Sequence, residues 1–460
     1  MTLTVRGSVR GLMAMVMAMV VSGAMLFAQA DARFTGTVLD QSGAAVAGAT
    51  VVVKDEKTGQ ERTVLSNAEG RYLVTNLKPS VYTLRATFKD FAPLEYPGMQ
   101  LVAAQEFSID LELRPAGLAE TVTVQANVSA IDLSSARNGV NVSEREVLNL
   151  PVNGRQMSQL LLQAPGSQNA GTGTWQDIRF SGRAVEQNVI RYDGIEGSAI
   201  IDSAPGNVNG ENNTPFKLQA SLENVQEFRV ESNNYPAEYG TGTGGQVSVI
   251  TKSGSNAFHG ALFEYFRDDS LDAPNYFDKQ RNPDGSVVND LGKSQLRQNQ
   301  FGGSFGGPIA KDRAFFFGSY EGYRLDAGLN FIEAVPSAAA WARAVPAIRS
   351  LQSEFLSPNA VILQGASANP DFDIAQLQTL QKVNEDAFSA RLDVKLTPNW
   401  SSYFRYFRDS GENDEPQGVT GRRFDVTSKP NNFVANLQGL RGTTTNDFKV
   451  GYNSANSTSF

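Results

Sequence analysis

The 460-residue chain contains no cysteine and only one histidine. The absence of thiols excludes disulfides, thiolate-bound metals, a cysteine nucleophile and lipid attachment at an N-terminal cysteine. A lone histidine without cysteines cannot supply the usual ligands of a catalytic zinc ion. No cofactor, metal site or catalytic residue is therefore expected, and the sequence predicts a protein that is not an enzyme.

Positive charge is also in short supply, with 40 Lys and Arg against 48 Asp and Glu. No basic patch stands out, so nucleic acid is not an expected partner. After residue 30 no apolar run is long enough for a membrane-spanning helix, so any membrane crossing would have to use strands. Glycine and aromatic residues are plentiful and helix-period patterns are few, which favours a mainly β chain.

Residues 1–30 have the pattern of a secretory signal peptide. Arg6 and Arg10 precede an apolar stretch over 11–27, and Ala28 and Ala30 frame a small-x-small cleavage site. A membrane anchor helix is the alternative interpretation. The shortness of the apolar run and the cleavage pattern favour the signal peptide.

Residues 33–114 contain short alternating segments separated by turn residues. In the last of them Phe107, Ile109, Leu111 and Leu113 share one face, and polar residues occupy the other. About seven strands at this spacing predict a β-sandwich.

The stretch 222–266 joins two kinds of sequence. An apolar-periodic segment leads into an AEYG turn at 237–240, a glycine cluster, a strand over 246–251 and a polar turn over 252–256. An aromatic-rich strand then begins at Phe258. Glycines permit the sharp corners and close backbone approaches that such a junction requires.

After residue 256, strand-like segments occur near 257–267, 297–307, 313–323, 387–396, 400–409, 432–440 and 447–455. Several alternate apolar and polar residues over about ten positions, which is typical of transmembrane barrels. Long connections (268–296, 324–386, 410–431) alternate with short ones (308–312, 397–399, 441–446). Outer-membrane barrels have this alternation of loops and turns. A helix is predicted over 338–355.

The junction resembles the end of the plug and the first barrel strand of TonB-dependent outer-membrane receptors of the Oar-like branch. The residues singled out at the plug–barrel junction are Glu238, Tyr239, Gly240, Thr251, Lys252, Gly254 and Asn256. Residues 33–114 resemble carboxypeptidase regulatory-like domains, and LPVNGR at 150–155 resembles the opening of the plug. IRFSGR at 178–183 and NVIRYDG at 188–194 resemble central plug strands, with a hairpin turn at Asp193 and Gly194.

The resemblance implies a mainly β fold: an N-terminal β-sandwich, an α+β plug domain and a partial antiparallel transmembrane β-barrel. The expected division is a signal peptide at 1–30, a regulatory-like domain at 31–116, a TonB-box-like segment at 117–126, a plug at 127–255 and barrel strands at 256–460. Because relatives use 22 strands, the sequence is expected to be an N-terminal fragment.

The TonB-box-like segment alternates valine and threonine with no evident pairing partner in the sequence. Its candidate partner-binding residues are Glu120, Thr121, Val122, Thr123 and Val124. An exposed strand can add to the edge of a partner's sheet, here a TonB-type energy-coupling protein. An ordinary edge strand would have the same pattern.

The implied function is active nutrient uptake across the outer membrane, with the N-terminal domain in the periplasm and the barrel in contact with outer-membrane lipids. The nutrient is unknown, with a glycan as one candidate, and no ligand-binding residue is assigned. Loops at 166–176 and 197–215 are either cavity-facing or plain connectors. The alternative function is a secreted or cell-surface β-sandwich adhesive or structural protein.

Overall fold

The structure is a computed structural model. It describes residues 32–116, 122–123, 137–152, 155–171, 177–197, 221–235, 239, 242–281, 284–290, 292–363, 367, 369–441, 444–454 and 456–459. The predicted signal peptide with Ala28 and Ala30, and most of the loop at 197–215, lie outside this range.

Two facing sheets form the N-terminal part. Its strands are β1 (Ala32–Asp40), β2 (Thr50–Asp55), β3 (Glu61–Leu65), β4 (Arg71–Leu77), β5 (Ser80–Thr87), β6 (Leu94–Leu101), β7 (Glu106–Ser108), β8 (Leu111–Leu113) and β9 (Val122–Thr123). One sheet pairs β1 with β4, β7 and β8, and the other has the order β3-β2-β5-β6-β9. Alternate apolar residues of both sheets fill one core. The predicted β-sandwich is confirmed.

The strand predicted over 107–113 is divided in two. Both halves, β7 and β8, run parallel to β1. Between them the Ile109 carbonyl approaches Gly36 so closely that a Cβ there would lie 1.9 Å from its oxygen. The Tyr72 hydroxyl donates to the same carbonyl at 2.7 Å. This local contact interrupts the regular strand pairing.

The middle part is a mixed sheet with a short helix packed on it. Its elements are β10 (Asn138–Val142), α1 (Glu144–Asn149), β11 (Ser167–Asn169), β12 (Ile178–Phe180), β13 (Val189–Tyr192), β14 (Ile195–Glu196), β15 (Val225–Asn233) and β16 (Gln246–Thr251). The sheet order is β10-β15-β16-β13-β14, and β11 and β12 form a separate hairpin. Asp193 and Gly194 have φ of 49° and 83°, which confirms the predicted two-residue hairpin turn.

The third part is an antiparallel sheet of long strands. Its strands are β17 (His259–Asp268), β18 (Lys279–Arg281), β19 (Val287–Asp290), β20 (Leu296–Ala310), β21 (Ala314–Pro336), β22 (Val361–Leu363), β23 (Phe372–Thr397), β24 (Trp400–Gln417), β25 (Arg422–Ser428), β26 (Asn431–Arg441), β27 (Thr444–Ser454) and β28 (Ser457–Ser459). The long strands pair in chain order from β17 through β20, β21, β23 and β24 to β26 and β27. Within the described residues the sheet does not close on itself.

The outward face of this sheet is apolar and its inward face is polar, which is the reverse of a sheet in a water-soluble protein. On β23 the apolar Phe388 and Leu392 are 48% and 40% exposed, whereas Arg391 is 5% exposed. On β27 Phe448 and Val450 are exposed in the same way. The polar face packs against the middle part, and the apolar face is left for a hydrocarbon environment.

The long strands β21 and β23 extend further than the sequence indicates. The loop predicted at 324–386 is reduced to 337–371, because β21 continues to Pro336 and β23 begins at Phe372. The predicted helix over 338–355 is divided into α2 (Ala338–Arg343), α3 (Pro346–Arg349) and a 3₁₀ turn (Gln352–Glu354). Pro346, which lacks an N–H and begins α3, explains the first break.

The remaining 3₁₀ turns are short, at Met157–Gln163, Val185–Gln187, Leu222–Asn224, Asp269–Leu271, Tyr276–Asp278 and Gly418–Thr420. Among the residues that the structure describes, no helix combines the length and the apolar character needed to cross a membrane.

Candidate functional site

The polar turn at 252–256 lies where all three parts of the structure meet. The Asn256 N–H donates to the Lys57 carbonyl of the N-terminal part at 3.0 Å. Its side-chain amide donates to Asp312, in the turn between β20 and β21, at 2.7 Å. The Asp312 N–H in turn donates a hydrogen bond to the side-chain oxygen of Asn256 at 2.8 Å. One asparagine therefore links the N-terminal part to the end of the long strands.

Gly254 and Lys252 belong to the same turn. A Cβ at position 254 would lie 2.3 Å from the Phe316 carbonyl oxygen, so only glycine fits between the middle part and β21. Lys252 forms a 3.3 Å ion pair with Glu144 at the start of α1. Its N–H donates to the Asn224 carbonyl at 2.9 Å.

Only Tyr239 of the AEYG turn is among the described residues, and Glu238 and Gly240 lie outside them. Tyr239 is buried, and its carbonyl accepts a 2.8 Å hydrogen bond from Arg191 of β13. The Arg191 guanidinium lies 5.6 Å from the centre of the Tyr239 ring. The turn is thereby fixed to the parallel pair of β13 and β16.

Thr251 leads from the predicted turn residues to a buried charge. Its N–H and its hydroxyl donate to the two oxygens of Asp193 at 3.0 and 2.8 Å. Arg405 of β24 contacts Asp193 at 2.6 Å and Arg391 of β23 contacts it at 3.4 Å. All three charged side chains are at most 6% exposed. The hairpin turn of the middle part is thus clamped by two strands of the long sheet.

The two arginines keep Asp193 ionised. Burial alone would raise its pKa, but Arg405, Arg391 and the Thr251 donors outweigh burial and hold the pKa below its usual value. A carboxylate held in this way has no proton to exchange near neutral pH. Its role is to hold the hairpin in place.

The network continues into the N-terminal part. Arg391 also pairs with Asp393 at 2.8 Å, and Lys78, between β4 and β5, reaches the same carboxylate at 2.7 Å. The ring of Tyr403 lies 4.4 Å from the Arg391 guanidinium and 4.7 Å from the Lys78 ammonium. One chain of contacts therefore connects the N-terminal, middle and long-strand parts.

Another arginine, Arg155, holds the other side of the middle part. Arg155 pairs with Glu223 at 3.2 Å and approaches Glu321 of β21 at 3.8 Å. Its guanidinium stacks on the rings of Phe263 and Tyr265 of β17, 4.5 and 4.7 Å from their centres. Two separate sets of buried charges therefore attach the middle part to the sheet.

Glu227 of β15 forms a contact between the N-terminal and middle parts. Its carboxylate accepts a hydrogen bond from the Ala103 N–H, and the neighbouring Gln226 donates to the Pro79 carbonyl at 2.8 Å. Burial raises the pKa of Glu227 to about 7. This interface therefore contains a carboxyl group that titrates near neutral pH.

A cavity of about 330 Å³ opens at the junction of the three parts. Lys78, Thr251, Lys252, Arg391 and Ser402 are among its lining residues. Charged groups of both signs line it, so it marks a polar seam between the parts.

The TonB-box-like segment is described only at Val122 and Thr123, and Glu120, Thr121 and Val124 lie outside the described residues. The structure brings Val122 and Thr123 to the edge of β6. It does not bring them to the junction at 251–256. The sequence offered no partner for this strand, and the structure supplies one.

The sequence patterns do not identify the residues of the buried network. Asp193 is identifiable only as a turn residue, and Arg391 and Arg405 only as members of the polar face of a strand. A signal was present, because an arginine on the inward face of a barrel strand requires a nearby anion. The sequence contains no indication of which carboxylate fills that role.

An antiparallel sheet with one face apolar and exposed, and with its polar face packed on a small mixed domain, is the arrangement of an outer-membrane barrel wall. Residues 250–460 match the family model described as "Outer membrane beta barrel domain", and residues 33–114 match "Carboxypeptidase regulatory-like domain". The chain is 31% identical over 308 residues to the TonB-dependent transporter Oar of Myxococcus xanthus. This alignment covers 65% of the chain and 27% of that relative.

Two solved structures of outer-membrane proteins are similar to part of the chain. The outer membrane transporter YddB from Escherichia coli aligns with a TM-score of 0.46 at 12% identity, over 69% of this chain and 38% of that one. A mutant of the ferric enterobactin receptor PfeA from Pseudomonas aeruginosa, solved in complex with enterobactin, aligns with a TM-score of 0.40 at 15% identity, over 69% of this chain and 40% of that one. The chain is a homologue of Oar-type TonB-dependent transporters, and its barrel domain locates it in the outer membrane.

Proposed function

We propose that the chain acts in TonB-dependent uptake of a nutrient across the outer membrane, without catalysing a reaction. The observation that carries this proposal is the polar clamp between Asp193 and the arginines of β23 and β24, on a sheet whose other face is apolar. A plug held by a few concentrated contacts can be moved by a force on the chain before it, while the barrel stays in the membrane. The match to the transporter Oar supports the same function.

The proposal includes the division into a signal peptide at 1–30, a regulatory-like domain at 31–116, a coupling segment at 117–126, a plug at 127–255 and barrel strands from 256. The N-terminal domain contacts the short turn at Asp312. Short barrel turns face the periplasm, which supports a periplasmic position for this domain. A TonB-type energy-coupling protein would pair with the residues Glu120, Thr121, Val122, Thr123 and Val124.

The coupling segment is tested by proline, which has no N–H to donate to a partner strand. Val122→Pro should abolish uptake while the protein remains in the outer membrane, and Val122→Ala, which keeps the N–H, should leave uptake near the wild-type rate. Unchanged uptake in the proline variant would contradict the proposal.

The nutrient class is open between glycans, peptides and metal chelates. A deletion strain grown on a panel of such nutrients should lose uptake of one class, and plasmid-borne protein should restore it. A deletion strain with no uptake defect on any of them would overturn the transport function.

A further inference from the structure

The β6 edge of the N-terminal domain is occupied by Val122 and Thr123 of the coupling segment. In the second sheet, β2, β3, β5 and β6 pair with one another antiparallel. The pairing of β9 is different, because Val122 and Thr123 run parallel to Leu94 and Glu95 of β6. This strand comes from outside the sandwich and covers an edge that would otherwise be open.

The chain is led to that edge by contacts of its own. After β8 it runs antiparallel beside residues 90–92, where the Ala92 N–H donates to the Arg114 carbonyl at 2.8 Å and the Ala116 N–H donates to the Asp90 carbonyl at 3.0 Å. Six positions later it runs beside Leu94 and Glu95. A tether this short gives the segment an effective concentration on the order of millimolar at the β6 edge.

The β6 edge also limits how much of the segment it can hold. Pro97 has no N–H, and Gly98 has a φ of 72° at a bulge in the pairing of β5 with β6. Proline and bulges interrupt edge pairing. Only the beginning of β6, before Pro97, remains available, which agrees with the two-residue length of β9. Each hydrogen bond of such a contact adds only a modest net stability.

We propose that residues Leu94 to Tyr96 form a docking site for the coupling segment, and that Val122 and Thr123 leave this site before the energy-coupling protein binds them. The inference rests on the proposed function and adds its regulation. Val122 and Thr123 are extended and paired with β6, and the shortness of the contact lets a longer pairing with a partner sheet replace it. The N-terminal domain thereby controls access to the segment.

The absence of native cysteine makes a disulfide test unambiguous. Glu95→Cys and Thr123→Cys are introduced together at positions that pair in the structure. Oxidation should form the cross-link in the full chain, and Thr123→Cys alone should give none. Failure of the pair to cross-link under oxidation overturns the docking site, whatever the function of the protein.

The cross-linked protein is then titrated with the purified periplasmic domain of the host's TonB-type protein. We expect at least a tenfold loss of affinity, and recovery when the disulfide is reduced. Equal affinity in the oxidised and reduced forms would show that the segment is bound while docked, and would overturn the proposed release.

A matched control tests whether the loss of affinity comes from locking the docked segment or from any disulfide in the same sheet. Lys54→Cys with Glu61→Cys places a disulfide between paired residues of β2 and β3, at the opposite edge of the same sheet. It should leave the affinity unchanged, and an equal loss in this control would contradict the inference. If the wild-type protein does not bind the TonB-type domain at all, the proposed function fails while the cross-link still reports on docking.

Discussion

Asp193 is buried, and its negative charge is compensated by Arg391 and Arg405. Removing one partner of a buried pair leaves the others uncompensated, which typically costs about 3–5 kcal/mol. Asp193→Asn should therefore lower the free energy of unfolding by roughly that amount, as measured by urea titration in detergent. The buried Arg405 is the main reason, since it loses its carboxylate partner, whereas Arg391 keeps its ion pair with Asp393.

The matched control is Asp371→Asn. Asp371 pairs with Arg343, and both side chains are about half exposed. Exposed pairs contribute about 0–1 kcal/mol, so this variant should stay close to the wild type. Equal losses in the two variants would show that Asp193 does not hold the middle part against the long strands.

Gly254 is the second residue on which the junction depends. Gly254→Ala places a methyl group against the Phe316 carbonyl, where it must displace backbone. Overpacking of this kind typically costs about 1–3 kcal/mol, so the urea midpoint should fall. Gly318→Ala is the control, because its Cβ would meet the Ser389 carbonyl oxygen at an ordinary 3.7 Å. A larger loss at 318 than at 254 would refute the steric explanation.

Glu227 makes stability depend on pH. Burial raises its pKa from an ordinary 4.5 to about 7, so the folded protein keeps this proton where the unfolded chain has lost it. Its contribution is fully present below the unfolded value and is lost as pH rises through about 7. Urea midpoints between about pH 5 and 8 should fall more steeply in the wild type than in Glu227→Gln. Identical slopes would rule out this contribution.

At the scale of elements, sequence prediction succeeded where the surroundings impose a period. Phe388, Leu392 and Leu396 alternate because one face of β23 meets hydrocarbon, and the strand was predicted at 387–396. The preceding half of the same strand was predicted as loop. Its residues from Phe372 onward mix polar and apolar types without a regular period. Pairing with β21, β22 and β24 keeps this half extended.

The same limit applies to the candidate site. The turn at 252–256 could be predicted from its glycine and polar residues, since its backbone requirements are local. The contacts of Asp193 with Arg391 and Arg405 join residues about 200 positions apart, with no local pattern to reveal them. Nothing in the sequence indicates that Val122 pairs with Leu94.

The outward face of the long strands can be tested by one substitution in two environments. Leu392→Arg should destabilise the protein folded in lipid vesicles by up to about 2–4 kcal/mol if the site lies near the bilayer centre. Leu73→Arg on β4 is the matched control, because this leucine is 53% exposed on the N-terminal domain and should tolerate the charge. Equal tolerance at both sites would argue that β23 does not face lipid.

At the scale of the whole molecule, polar contacts connect all three domains. Lys78, Asp393, Arg391 and Asp193 form a continuous series from the N-terminal part through the long strands to the middle part. Arg62 also donates to Gln438 of β26, and Gln438 donates to the Asn76 carbonyl at 3.1 Å. Polar interfaces of this kind allow domains to separate more easily than apolar ones. The N-terminal domain is thus held in a defined position by contacts that can be undone.

Lys78→Glu tests this arrangement by placing a negative charge beside Asp393. Repulsion should loosen the N-terminal domain while leaving its own core intact, because Lys78 is partly exposed at the domain edge. Spin labels at Glu69→Cys and Lys311→Cys, in a chain without other cysteines, report the distance between domain and barrel. The distance distribution should broaden in Lys78→Glu and stay narrow in Lys54→Glu, whose 3.6 Å partner Glu61 lies within the same domain. A narrow distribution in both would mean that the ion pair to Asp393 does not hold the domain, and that the contacts of Arg62 and Asn256 suffice.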